Sequence, residues 1–147
     1  MADFILRPAT EQDFPAIQRL IREVRINPMS LDWRRFVVAV DGSGQLRGCG
    51  QLKPHGGGLV ELASIAVVPS SRNKGIARAI IEHLLAQAPR PLYLTCRSGL
   101  QPFYERWGFQ VLELDEMPPY YRRLFRFAKV MLALVERGES MLVMKLM

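Results

Sequence analysis

The sequence predicts a mixed α/β domain, and three observations lead there. Short β-branched or apolar runs alternate with stretches whose apolar residues recur every three or four positions. The breaks between them carry turn chemistry: Asn27-Pro28, Asp41-Gly42-Ser43-Gly44, Gly56-Gly57-Gly58, Pro89 and Gly108. Finally, 147 residues are enough for one domain with a sizeable core, so residues 1–147 are read as a single unit.

Each element has its own justification. Phe4 to Arg7 is a short apolar strand. Thr10 is a good N-cap, with Asp13 three residues on completing an approximate capping box. The helix that follows, to about Arg25, puts Phe14, Ile17, Leu20, Ile21 and Val24 on one face. Pro28 to Arg35 is a loop or a short helix carrying Trp33. Phe36 to Val40 is a β-branched strand, turned at Asp41–Gly44 into a return strand over Leu46 to Lys53. Gly48 and Gly50 either weaken that strand or allow a bulge. Leu59 to Val68 is almost wholly apolar, which suits a central strand covered on both faces; Glu61 and Ser64 are its polar exceptions. A helix opens at Gly75, with Ile76, Ala77, Ile80, Ile81, Leu84 and Leu85 on one stripe, and Pro89 stops it. Pro91 to Cys96 is a buried strand, Leu100 to Trp107 a short helix closed by Gly108, and Phe109 to Leu114 a strand. Pro118-Pro119 starts an amphipathic helix to about Glu136, and Met141 to Met147 is the last strand. The pattern contains six to seven strands in all.

Composition narrows the class. Hydrophobic residues make up 49% of the chain and charged residues 23%, ordinary for a folded soluble protein and far from disorder. The net charge of +6 is carried mostly by arginine. It suits an acidic ligand such as a polyphosphate; a nucleic-acid partner is disfavoured because no block of five or more Lys/Arg occurs. Cys49 and Cys96 lie in apolar runs and read as buried thiols of a reducing compartment, and their spacing does not resemble a metal site. The N-terminal residues lack signal-peptide character and no uncharged run reaches about 18 residues, so a cytoplasmic protein without a membrane partner is expected.

The chemistry concentrates in Glu61 to Leu85. A buried strand feeding the polar turn Ser70-Ser71-Arg72-Asn73-Lys74-Gly75 and then a helix N-terminus is an anion site: loop N–H groups point outward and the helix dipole favours negative charge. Gly75 permits close backbone approach without a Cβ. A tight strand-to-helix turn with a charged surface gives the same pattern, so this stretch alone leaves both readings open.

A second segment decides between them. Arg72-Asn73-Lys74-Gly75-Ile76-Ala77, preceded by Ala66-Val67-Val68-Pro69, and Phe103-Tyr104-Glu105-Arg106-Trp107-Gly108-Phe109 together resemble the two signatures of the GCN5-related N-acetyltransferase (GNAT) superfamily. The order of elements resembles that family over almost the whole chain, more loosely before Phe36, and the helix from Pro119 stands where the family often has only a loop. The resemblance implies a mixed, mostly antiparallel sheet flanked by helices, with two central strands that part. It implies acetyl-CoA as acyl donor: the N–H groups of Arg72, Asn73, Lys74, Gly75, Ile76 and Ala77 hold the pyrophosphate, and the strand through Ala66, Val67 and Val68 lies along the pantetheine arm. It implies Tyr104 as the general acid toward the leaving thiolate, and as a neighbour of the cofactor. Glu61 stands eleven residues before Arg72, the separation of the general-base glutamate in histone-acetylating members. A glutamate in an apolar strand is a candidate base on chemical grounds too, since burial raises a carboxyl pKa; the alternative is a strand-edge glutamate meeting solvent or an arginine. Ser98 either touches the cofactor or caps the following helix. His55 and His83 read as a loop residue and a helix-surface residue.

The reading is an acetyl-CoA-dependent N-acetyltransferase acting on a primary amine by direct attack. The acceptor is a small molecule or a peptide, entering between the Asn27–Phe36 loop with Trp33 and the segment bearing Tyr120, Tyr121, Arg122 and Arg123. Those arginines suit an acceptor with a carboxylate or phosphate. Alternatives are a catalytically silent CoA-binding sensor and a protein N-terminal or lysine acetyltransferase. The helix from Pro119 to Glu136 packs on its own sheet, forms a homodimer face or rests on an anionic membrane.

Overall fold

The computed structural model describes residues 3–126 and 138–147. Seven strands are defined: β1 (Phe4–Pro8), β2 (Phe36–Asp41), β3 (Leu46–His55), β4 (Leu59–Val67), β5 (Leu92–Arg97), β6 (Gln110–Val111) and β7 (Met141–Leu146). The helices are α1 (Phe14–Glu23), α2 (Ile76–Leu85), α3 (Gln101–Glu105) and α4 (Pro119–Phe125), with short 3-10 turns before α1, β2, α2, α3 and α4. The strands follow the order β1-β2-β3-β4-β5-β7-β6. Pairing is antiparallel for β1–β2, β2–β3, β5–β7 and β6–β7, and parallel for β4–β5, which registers at one pair, Glu61↔Tyr93. The mixed, mostly antiparallel sheet flanked by helices is therefore as expected.

The chain divides into two compact units. The first comprises Met1–Lys53 and Leu62–Ala88. Its core forms where the apolar stripe of α1 (Ile17, Leu20, Ile21) meets Phe36, Val38 and Val40 of β2, with Cys49 and Ala66. Each fully buried Ile or Leu there contributes roughly 2–3 kcal/mol of hydrophobic stabilisation. The capping box at the start of α1 is present: the Thr10 N–H donates to Asp13 Oδ2 at 2.7 Å. Asp13 also accepts both Arg7 guanidinium nitrogens, at 2.7 and 3.0 Å, which ties β1 to the helix start. The β2–β3 hairpin closes on Asp41, whose carboxylate accepts the N–H groups of Ser43 and Gln45, the Ser43 hydroxyl and Arg47 Nε.

Gly48 and Gly50 have a firmer role than loosening a strand. A Cβ on Gly48 would lie 2.7 Å from Ile76 Cγ2 and 3.1 Å from the Ala66 carbonyl oxygen; one on Gly50 would lie 2.7 Å from Ile65 Cδ1 and Ile80 Cγ2. The two glycines make the face of β3 on which α2 rests. The close approach of α2 to the sheet thus comes from β3, with Ile76 and Ile80 as the contacting residues, while Ala77 is only half-buried.

The second unit comprises Pro54–Glu61 and Pro89–Met147. Strand β5 pairs with β7 along its whole length, from Leu92↔Leu146 to Arg97↔Met141. Its core is Tyr93, Met117, Tyr121 and Val143, with Leu59, Leu112, Tyr120, Leu124 and Phe125 around it. The strand expected over Phe109–Leu114 is only Gln110–Val111. The Leu112 N–H still reaches the Val143 carbonyl, but the Glu113 N–H turns to the Glu116 carboxylate, and this local cap starts a 3-10 turn over Leu114–Glu116. The short helix expected over Leu100–Trp107 is α3 preceded by a 3-10 turn over Ser98–Leu100. The last helix starts at Pro119 as expected; its continuation over 127–137 lies outside the described residues. No helix among the described residues is long and apolar enough to cross a membrane.

Candidate active site

The signature loop belongs to the first unit. Val68 ends the strand path with both backbone groups engaged: its N–H donates to the Arg47 carbonyl at 2.9 Å and its C=O accepts from the Ser71 N–H at 2.8 Å. Successive strand residues point their N–H groups to opposite edges, so that of Val67 is directed away from β3. Ala66 is buried in the core. Beyond Pro69 the loop turns twice through the left-handed region, at Asn73 (φ 64°) and Gly75 (φ 81°). Gly75 is the residue before α2, and the space over its Cα is open. The first backbone bond into α2 runs from the Ala79 N–H to the Gly75 carbonyl at 3.0 Å, so the N–H groups of Ile76 and Ala77 have no partner within the helix. Arg72, Asn73 and Lys74 are exposed. A cavity of about 520 Å³ adjoins the loop, lined by Ser70, Ser71, Lys74, Ile76 and Arg47 together with Asp3, Phe4 and Asp41. Unpaired N–H groups, two cations and open space over a glycine suit a polyphosphate, so the residues present fit the group that the loop signature implies.

Tyr104 lies in the second unit on α3, 8% exposed. Phe103 and Phe109 meet its ring edge-on, at centroid distances of 5.1 and 6.1 Å. Burial pushes the Tyr104 phenol pKa well above its ordinary value, the Cys96 thiol adds to this, and Arg97 offsets part of it. The hydroxyl therefore keeps its proton at neutral pH. Cys96 is also raised, to about 11, by burial, which keeps it a thiol rather than a nucleophilic thiolate. Buried Cys49 is raised by burial to about 12.

Glu61 is largely shielded from solvent, and among the described residues it pairs with no arginine. It is 9% exposed, and its Oε1 lies 2.6 Å from His55 Nε2. The hairpin geometry brings the two together: β3 ends at His55, Gly56–Gly58 make the turn with Gly57 (φ 70°) and Gly58 (φ 81°) in the left-handed region, and Glu61 follows early in β4. On the other side Thr95 Oγ1 lies 3.5 Å from Glu61 Oε2, a long contact. The His55 ring stacks on Tyr120 at 4.1 Å and meets Tyr121 edge-on at 6.4 Å. Tyr121 is wholly enclosed, and its hydroxyl makes no hydrogen bond of ordinary geometry. Burial first, and the Glu61 charge second, raise the pKa values of both Tyr120 and Tyr121.

The structure thus joins Glu61 to Tyr120 and Tyr121 through His55, a residue the sequence reading left in a loop. The three glycines after His55 were the available signal, because a tight hairpin there brings His55 and Glu61 close together on adjoining strands. His83 is on the helix surface as expected, 3.0 Å from Gln87 Nε2. Ser98 caps no helix; its hydroxyl accepts the Ser140 N–H at 3.2 Å, and its own N–H donates to the Ser140 carbonyl at 2.8 Å. Trp33 sits half-buried in the 3-10 turn before β2, with the Arg34 guanidinium 5.1 Å from its ring centroid. Arg122 Nε donates to the Met117 carbonyl at 2.8 Å, and Arg123 is exposed. Ser64 is a further departure from the sequence pattern: within β4 it is left-handed (φ 59°), and its hydroxyl accepts from buried Gln51 at 2.8 Å.

Comparison with known proteins places this arrangement. The chain is 34% identical to an uncharacterized N-acetyltransferase of Chlorobaculum tepidum over 90 residues, 58% of this chain and 56% of that protein. The structure is similar to N-acetylglutamate synthase from Neisseria gonorrhoeae, solved with coenzyme A and N-acetyl-glutamate: TM-score 0.75 and 25% identity, over 100% of this chain and 36% of that one. It shares its fold with a Mycobacterium tuberculosis protein solved in complex with CoA, at TM-score 0.73 and 24% identity over 97% and 99% of the two chains. This chain therefore spans about half of the curated relative and about a third of the Neisseria protein. Residues 32–111, from Asp32 before β2 to the end of β6, match the family model described as an acetyltransferase (GNAT) domain, and the chain belongs to the GNAT acetyltransferase family.

Proposed function

We propose that the protein is an acetyl-CoA-dependent N-acetyltransferase whose acceptor is a small primary amine bearing a carboxylate or phosphate. The observation that carries the reading is the loop from Val68 to Ala77: two left-handed residues, unpaired N–H groups and open space over Gly75, in a chain of this family. Acetyl-CoA supplies the activated thioester. Asn73, Lys74, Gly75, Ile76 and Ala77 bind its pyrophosphate, chiefly through backbone N–H groups; Arg72, whose own N–H donates to the Pro69 carbonyl at 3.4 Å, contributes its guanidinium, and the Val67 N–H, directed away from β3, serves the pantetheine arm. Ala66 and Val68 hold that strand in place, and Ser98, whose hydroxyl accepts the Ser140 N–H, is a candidate contact of the cofactor.

Transfer to an amine poses two proton problems. The acceptor arrives as an ammonium and must lose a proton to attack; the buried, polar centre around Glu61 takes it. The departing thiolate needs a proton; Tyr104, held in its protonated form by burial, donates it. Trp33 and Tyr120 are the candidate acceptor contacts, and Tyr121, wholly enclosed, packs edge-on against Tyr120 from within the core. Arg122 and Arg123, with the net charge of +6, favour an anionic group on it. The Neisseria structure contains an N-acetylated amino acid with two carboxylates, which supports the same class of acceptor here.

Calorimetry with CoA tests the donor half. Lys74→Gln and Gly75→Ala weaken binding about 10-fold, the first by removing a cation and the second by straining a left-handed position. Unchanged affinity in both variants would move the polyphosphate elsewhere.

A further inference from the structure

Among the described residues, the short hydrogen bond that Glu61 makes is to an imidazole, His55 Nε2 at 2.6 Å. We propose that His55 is the residue that takes the proton from the acceptor ammonium, and that Glu61 is the positioning residue behind it. This rests on the acetyltransferase reading.

An ionised carboxylate only accepts, so at 2.6 Å from Glu61 Oε1 the His55 Nε2 carries the hydrogen and donates it. In a neutral ring Nδ1 is then the lone-pair nitrogen, and no described residue hydrogen-bonds to it. The ring cannot swing to another arrangement. Its Nε2 edge is anchored on Glu61, one face is covered by Tyr120 at 4.1 Å, and Tyr121 meets it edge-on. Glu61 is fixed in turn by the β4–β5 pair Glu61↔Tyr93 and by Thr95 on its far oxygen. Both side chains are about nine-tenths buried, 12% exposed for His55 and 11% for Glu61, so the pair is shielded from solvent. A carboxylate that orients an imidazole and stabilises its protonated form is a general device for making histidine a base. No purely structural need calls for this pair: the turn is set by glycines, and the surrounding core of Tyr93, Met117, Tyr121 and Val143 is closed by apolar and aromatic contacts.

The groups facing the imidazole are Glu61 from β4 and Tyr120 and Tyr121 from α4. Both phenols are held protonated. Among the described residues, the charged group in contact with the His55 ring is the Glu61 carboxylate.

The proton and bond changes balance. His55 Nδ1 takes one proton from the ammonium, leaving an imidazolium paired with the Glu61 carboxylate. The free amine forms the carbon–nitrogen bond at the thioester carbonyl, and the carbon–sulfur bond breaks. Tyr104 gives its proton to the sulfur, and the second amine proton restores the tyrosine hydroxyl. The imidazolium then releases one proton to water, so each turnover yields an amide, a thiol and one proton.

The test compares His55→Asn, Glu61→Gln and the double variant by steady-state kinetics, with the His55 ring nitrogens observed by NMR in the ligand-free protein. The expected result is a fall in kcat on the order of 100-fold or more for H55N with KM for acetyl-CoA unchanged. A smaller fall is expected for E61Q, and a double variant no worse than H55N alone. NMR should show hydrogen on Nε2 in the wild type and a mixture of tautomers in E61Q. Near-full activity in H55N with the large loss in E61Q would overturn the proposal and make Glu61 the base, leaving the acetyltransferase reading intact. Hydrogen on Nδ1 in the wild type would overturn it whatever the kinetics show. Absence of thiol release by the wild type with every amine would overturn the acetyltransferase reading, and the base with it.

Discussion

At the scale of single residues the proposed chemistry depends on a side chain whose environment holds its proton in place. Tyr104, the proposed general acid, is kept protonated by burial. Tyr104→Phe removes the transferable proton while keeping the edge-on contacts to Phe103 and Phe109. We expect kcat to fall about 100-fold with CoA affinity unchanged, by steady-state kinetics and calorimetry. A variant of normal kcat would remove Tyr104 from the chemistry. Asp13 supplies a separate residue-scale prediction. The Arg7 hydrogen bond, followed by the Thr10 N–H, holds its carboxyl below the ordinary value. Its stabilisation is therefore complete above the ordinary carboxylate range and is lost as pH falls through the folded-state pKa. Asp13→Asn, which keeps an oxygen for the Thr10 N–H but removes the charge and the second acceptor held by Arg7, should cost about 1 kcal/mol at neutral pH in chemical denaturation. The difference from the wild type should close in strong acid. A gap that persists there would assign the effect to packing instead of charge.

At the scale of elements, the decisive contact is α2 on β3. Gly48 leaves room for Ile76, the first residue of α2, and a Cβ would meet both the Ile76 branch and a backbone carbonyl. Gly48→Ala should destabilise the fold by about 1–3 kcal/mol and, by displacing the helix start, raise KM for acetyl-CoA. An unchanged melting temperature and KM would contradict that contact. This element also shows what the sequence makes legible. The period of Ile76, Ile80, Ile81 and Leu84 and the turn before it are local signals, so helix and loop were readable within a residue or two. That Gly48 and Gly50 serve this helix was not readable, because the partner lies some thirty residues on and glycine has many uses. The same holds for the site. Tyr104 and the loop from Arg72 to Ala77 announce themselves by spacing, and Glu61 by its oddity in an apolar strand. His55 acquires meaning only through a hairpin register, and Ser64 is left-handed with no glycine to mark it. The strand read over Phe109–Leu114 was too long because a local cap, Glu113 with Glu116, outcompeted the ladder.

At the scale of the molecule, charge and family combine. The excess of Lys and Arg over Asp and Glu, 20 against 14, places a positive field around a protein whose proposed donor is a polyanion. Raising the salt concentration from low to physiological should weaken CoA binding several-fold, since exposed Arg72 and Lys74 are screened. Affinity independent of salt would place the contribution in backbone N–H groups alone.

The central claim is that the GNAT fold here acetylates an amine that carries an anionic group. Thiol release from acetyl-CoA, measured across carboxylate- or phosphate-bearing amines, polyamines and lysine-rich peptides, tests it most directly. The account predicts turnover with the anionic amines, reduced about 100-fold in Tyr104→Phe while CoA still binds. Turnover confined to polycations, or tight CoA binding with no thiol release from any amine, would contradict it.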